Sequence, residues 1–175
     1  MPTPIPPPPP ALFPTLQEEY NTCLFHAATA LGRSLTALAE EQFGPLELTP
    51  TMAFILMTTR TAPGILSTDL AHVHQLDVST ISRAVDKLVH ERFVQREGTR
   101  KNIRIFITPL GEKKEADARA AWAKLRQAYG LVLTDPGARD LADHIARSDG
   151  RLREARPRKR RTANGKNIAV PGTGA

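Results

Sequence analysis

The chain has 175 residues, 24% of them charged, enough for one buried core and at most two subdomains. A single cysteine excludes an intrachain disulfide, and no apolar run reaches the ~18 residues of a membrane span. The net charge is +6, but residues 151–175 hold eight Lys/Arg and one Glu, so the rest of the chain is nearly neutral.

These features bound the chemistry. There is no Gly-rich phosphate loop, no clustered acid pair and no Cys/His spacing of a zinc site. His72 and His74 stand two apart on an expected helix and point to different sides, while His26, His90 and His144 are isolated in sequence. No metal or other cofactor is expected, and no nucleophile–base constellation points to an enzyme. The N-terminus lacks the charged-then-apolar pattern of a leader, so a cytoplasmic location is expected.

Residues 1–14 form a proline tract expected to be a stiff, polyproline-II-like arm without helix or ladder. Thr15 with Glu18 three residues on has the pattern of a capping box. A long helix is predicted from there to about Glu41, with Leu16, Tyr20, Cys23, Leu24, Ala27, Leu31, Leu35 and Leu38 near one face, ended by Gly44-Pro45. Thr49 caps the next helix with Pro50 at its first position, and Met52, Phe54, Ile55, Leu56 and Met57 supply core.

Residues 65–108 are the most informative stretch. Ser67 is a candidate N-cap for a short helix with apolar Leu70 and Val73, and Leu76 closes the turn after it. Asp77 is a candidate N-cap for a second helix over 78–91, in which Ile81, Val85, Leu88 and Val89 form the inward stripe. Phe93 to Arg96 and Ile103 to Ile107 read as two strands around a break at Glu97-Gly98-Thr99, with Ile103, Ile105 and Ile107 alternating as in a half-buried strand. Short helix, three-residue turn, helix and hairpin is the order of a winged helix-turn-helix. Residues 79–104 hold seven Lys/Arg against three Asp/Glu. The candidate DNA contacts are Ser67 and Thr68 on the first helix, Ser79, Thr80, Ser82, Arg83 and Lys87 on the second, and Arg96, Arg100, Lys101 and Arg104 on the wing. Small hydroxyl residues permit close approach to a groove, and Arg83 has the fork geometry for a guanine edge or a phosphate.

Thr108-Pro109 opens another long helix, to about Tyr129, carrying Trp122 and Leu125. A last helix follows over 134–147 with Leu141 and Ile145. The first and the last two helices are hard to bury in a monomer this small, so they are expected to interleave with their copies across a two-fold axis. The tail over 151–175 is low in apolar residues and expected to be disordered, with a capacity for non-specific phosphate contact.

Several of these segments resemble the multiple-antibiotic-resistance regulator (MarR) family of bacterial transcription factors, over roughly residues 16–147. The resemblance is carried by Leu48-Thr49-Pro50, Ser67 to Leu70, Asp77-Val78-Ser79-Thr80-Ile81-Ser82-Arg83, Asp86-Lys87-Leu88, Arg100-Lys101 and Ile107-Thr108-Pro109-Leu110-Gly111. It implies a mainly α fold with a small β-hairpin: a winged helix-turn-helix at about 48–108, dimerisation helices at about 15–43 and 108–150, a disordered Pro-rich arm at 1–14 and a disordered basic tail at 151–175. It further implies a homodimer on double-stranded, pseudo-palindromic operator DNA, usually a repressor, often relieved by a small ligand or by oxidation. The sequence departs from the pattern at the wing, where Thr99 and Lys101 replace an expected Asp and Arg. His74 stands where an apolar residue is usual. Gln75 and Arg92 stand where glycine is common, and a left-handed non-glycine residue costs about 1 kcal/mol, so the local turns can differ.

A small-molecule effector would act by preferring one separation of the two readers. Candidate lining residues are His26, Met52, Phe54 and Trp122, the larger side chains near the expected junction between reader and dimerisation helices. Cys23 lies in the helix where some family members sense peroxide, with Tyr20 one turn before it, but the expected downstream tyrosine pair is missing. Two alternatives therefore stay open: a winged-helix protein-interaction module that binds no operator, and a thiol-based redox regulator acting through Cys23.

Overall fold

A computed structural model of the chain describes residues 12–99 and 102–155. The proline tract up to residue 11, Arg100, Lys101 and the tail from residue 156 lie outside the described residues. The elements run α1 (Leu12–Asn21), α2 (Leu24–Phe43), a 3-10 turn (Gly44–Leu46), α3 (Pro50–Thr61), β1 (Ile65–Leu66), α4 (Ser67–His74), α5 (Val78–His90), β2 (Val94–Glu97), β3 (Arg104–Ile107), α6 (Pro109–Leu133) and α7 (Asp135–Ala155). The fold is thus mainly helical with one small antiparallel sheet.

The chain divides into two units, one ending at Val132 and the other beginning at Leu133. The first holds one apolar core. Phe43 and Leu48 enter it before α3, which buries Met52, Ala53, Ile55 and Leu56. Leu70 and Ala71 come from α4, Ile81, Val85 and Leu88 from α5, Val94 and Ile105 from the sheet, and Ala118, Ala121 and Leu125 from α6. The expected stripe of α5 is therefore buried, with Val89 partly so.

The sheet has the order β1-β3-β2, so β3 is its centre. Val94 pairs with Ile107 and Arg96 with Ile105 across β2–β3, while Ile65 pairs with Ile105 across β1–β3. The two-residue β1 is too short for any periodicity to announce it. At the hairpin, Gly98 has φ 104° and its missing Cβ leaves room for the Asn102 carbonyl, so only glycine fits there without a shift. The Asn102 N–H donates to the Thr99 carbonyl at 2.7 Å.

Several helix starts differ from expectation. The long first helix is two helices. Thr22 Oγ1 donates to the Glu19 carbonyl at 2.7 Å, competing with the helical ladder, and Cys23 is extended as the N-cap of α2. Thr15 and Glu18 lie inside α1 rather than at its start, because Pro14 falls in the first turn, where its missing N–H costs nothing. Ser67 is the first residue of α4 and not its cap. The cap position belongs to Leu66, held extended by its pairing with Arg104. Asp77 has N-cap dihedrals, but its side chain makes no capping bond; its carbonyl accepts the Thr80 and Ile81 N–H groups. Thr49 does cap α3, accepting from the Met52 N–H at 3.2 Å.

Gln75 and Arg92 hold left-handed backbones at φ 54° and 59°, so both turns keep the geometry that glycine would favour. At the start of α6, Thr108 Oγ1 donates to the Arg92 carbonyl at 2.6 Å and accepts from the Gly111 N–H at 3.0 Å. Gly111 packs on the Phe93 carbonyl so closely that a Cβ would collide with it. In the second unit, α7 continues to Ala155, into the segment expected as tail. An Arg153–Asp149 pair at 2.7 Å, one turn apart, supports its last turn.

Candidate nucleic-acid interface

Helix α5 is positioned by its own amphipathicity. Ile81 is fully buried, and at ~100° per residue Arg83 lies roughly 200° around the helix from it. Arg83 therefore stands at the middle of the outward face. Ser79 and Asp86 flank it on one side, Thr80 and Lys87 on the other, and all are exposed. Ser82 lies on the flank and is half-buried. On α4, Thr68 is exposed and Ser67 half-buried in the first turn, three residues of turn away from α5. Seven of the expected contacts are thus brought to the two helices of one helix-turn-helix.

The wing arginines are placed differently. Strand alternation puts Val94 and Arg96 on one face of β2 and Gln95 and Glu97 on the other. Val94 is buried, so Arg96 leaves the hairpin on its inward face, and its Nη1 lies 2.7 Å from Asp86 Oδ1 of α5. Arg104 donates from Nη1 to the Gly64 carbonyl at 3.0 Å, tying β3 to the chain just before β1. On the outer face, Gln95 Nε2 donates to Glu97 Oε1 at 3.0 Å. The engagement of Arg96 and Arg104 within the fold is a tertiary fact. No local pattern marks Asp86 or the Gly64 carbonyl as their partners, and Asp86 was absent from the expected site.

The other expected residues fall in separate places. Met52 is buried in the core. Phe54 meets Trp122 edge-to-face at 6.3 Å and Phe43 at 5.9 Å, and the Arg126 guanidinium lies 5.7 Å from the Trp122 ring centre. Phe54 and Trp122 are thus brought together, while His26 stacks on Tyr20 at 5.7 Å with its Nδ1 buried and unpartnered. Cys23 is exposed at the break between α1 and α2. An open groove of about 500 Å³ lies between the start of α3 and the last turns of α5, lined by Glu47, Thr49, Met52, Asp86, Lys87, His90 and Glu91. Among the described residues, no three His, Cys, Asp or Glu side chains are grouped to hold a metal, and no helix is long and apolar enough to cross a membrane.

Comparison with known proteins meets this geometry. Residues 48–106, which run from the start of α3 into β3, match the MarR family model. Over 86 residues the chain is 30% identical to YybA, an HTH-type transcriptional regulator of Bacillus subtilis (strain 168), covering 47% of this chain and 57% of that one. The chain thus spans little more than half the length of this curated relative. Among solved structures, it is similar to a mutant MarR from E. coli complexed with operator DNA, with a TM-score of 0.65 at 19% identity over 74% of this chain and 96% of that one. It is also similar to the transcriptional repressor CouR bound to p-coumaroyl-CoA, with a TM-score of 0.66 at 19% identity over 73% and 92% of the two chains. At these identities the likeness is one of fold.

Proposed function

We propose that the chain is a MarR-type transcription regulator, whose family model matches residues 48–106, and that it acts as a dimeric, sequence-specific DNA-binding repressor. The observation that carries this reading is the outward face of α5: Arg83 at its centre, small hydroxyls toward its N-terminus and Lys87 beside it, all exposed among the described residues. The small residues let the helix approach base edges, and Arg83 supplies a bidentate donor pair. Thr68, exposed in the first turn of α4, would meet the phosphate backbone, as would Arg100 and Lys101. Two such readers about 34 Å apart would engage successive major grooves of a pseudo-palindrome. The MarR relative solved with operator DNA supports this mode of binding.

Release by a small molecule is the second part of the proposal. CouR, solved with p-coumaroyl-CoA, supports it. On this chain the paired Phe54 and Trp122 are the lining residues best placed for it, since both are half-buried where α3 and α6 meet. A shift there would be felt at once by Met52 and the core under α5.

Selection of bound duplexes from random DNA tests the central claim. A pseudo-palindromic sequence retained at moderate salt is expected, and Arg83→Ala should cost about 1–3 kcal/mol and relax base choice at one position of each half-site. Retention without sequence preference, or none, would overturn it.

A further inference from the structure

We propose that Asp86 and Arg96 are a positioning pair that sets the wing against the reading helix, so that Arg96 aligns the wing and does not contact phosphate. The inference rests on the DNA-binding reading above and deepens it.

Asp86 lies three residues after Arg83, on the flank of the outward face of α5. A bare carboxylate there would stand beside the phosphates that the neighbouring cations are to meet, and would repel them. Arg96 removes that charge, with Nη1 2.7 Å from Oδ1. The hairpin makes this contact by register. Arg96 pairs with Ile105, which is fully buried, and shares the inward face of β2 with buried Val94. Its side chain therefore starts from the side of the sheet packed on α5, and is less exposed (31%) than that of Asp86 (57%). The Arg104 bond to the Gly64 carbonyl ties β3, the central strand, to the chain just before β1. The hairpin is thus held along β2 by α5 and along β3 by the chain before β1. Thr99, a residue without charge, stands close to the tip, and the ion pair engages β2 three residues before it.

A positioning role and a phosphate-contact role give opposite signatures. If Arg96 met phosphate, Arg96→Gln would weaken binding to every duplex and lower the salt slope by about one. Asp86→Asn would then only tighten binding. If the pair aligns the wing, each substitution loosens the same joint, and the double variant loses no more than either single one.

The test uses the full chain, a duplex that the wild-type protein selects from random DNA, and a scrambled duplex of the same length. Asp86→Asn and Arg96→Gln are each expected to lower the selected-to-scrambled affinity ratio by about two- to fivefold. Their double variant should equal the worse single, Arg96→Lys should restore most of the ratio, and the salt slope of Arg96→Gln should match wild type. Amide hydrogen exchange of the DNA-free protein should quicken in β2 and β3 in each single variant. Additive losses, a salt slope reduced by about one, or unchanged hairpin exchange would each overturn the pair. Wild-type protein that selects no sequence would overturn the DNA-binding reading, and the alignment role with it, whereas a failure of the pair alone leaves wild-type selection intact.

Discussion

His74 shows how one residue joins the reader to the core beneath it. It ends α4, half-buried, with its Nε2 3.1 Å from Thr58 Oγ1 on α3. The hydroxyl of Thr58 gives the imidazole a partner that a hydrocarbon would not need. Burial holds the His74 pKa below its ordinary 6.5 by disfavouring the charged form. The folded state therefore binds fewer protons than the unfolded state between the depressed value and 6.5. The stability His74 contributes is full above 6.5 and is lost as pH falls below it through the folded value. The melting temperature of the wild type should drop between about pH 7.5 and pH 5.5, and that of His74→Gln, which can still bond Thr58 but does not titrate, should drop less. Equal drops in the two proteins would remove His74 from the account.

At the scale of elements, what was legible depended on whether the information was local. The α5 stripe of Ile81, Val85 and Leu88 follows from helical spacing alone, and so does the three-residue turn before it. Arg83 could be placed on the outward face for the same reason. The break at Thr22–Cys23 was not legible, since apolar residues keep their spacing across it while a hydroxyl-to-carbonyl bond interrupts the ladder. The cap of α4 is Leu66 and not Ser67 because Leu66 is held extended by β1, an element that exists only through its pairing with β3. Arg96 and Arg104 read as free cations in the sequence because their partners lie 10 and 40 residues away. The turn between α5 and β2 is not legible from Arg92, which adopts φ 59° despite its side chain. The strain this stores is offset by the Thr108 bond to its carbonyl and by the burial of Val94 just beyond. Arg92→Gly should relieve it and, net of the extra freedom given to the unfolded chain, stabilise by about 0.5 kcal/mol in urea unfolding. Destabilisation instead would mean that the Arg92 side chain contributes more than its backbone costs.

For the whole molecule, the decisive question is what covers the apolar side chains that each unit leaves in water. In the first unit, Tyr20, Leu24 and Phe25 are 50%, 72% and 80% exposed around the α1–α2 break, and Leu131 and Val132 near the end of α6 are about as open. The second unit leaves Ile145 and Leu152 exposed on α7. Single exposed apolar residues are ordinary on a monomer, but three large ones within six positions are not easily left to solvent. A second copy, related by a two-fold axis, would cover them and would set the distance between two α5 helices at the same time. Net charge does not oppose this pairing, because the described helices are near neutral and the excess of Lys/Arg is concentrated after residue 150. Leu24→Glu combined with Phe25→Glu places two carboxylates in the face to be covered. The double variant should sediment as a monomer at micromolar concentration, where the wild type should sediment as a dimer. Binding to a two-half-site duplex should then fall by about 10²- to 10⁴-fold, because the second reader no longer acts at high effective concentration. Binding to a single half-site should hardly change, since α5 and its core are untouched. A variant that stays dimeric, or one that loses single-site binding as steeply as double-site binding, would place the dimer face elsewhere on the chain.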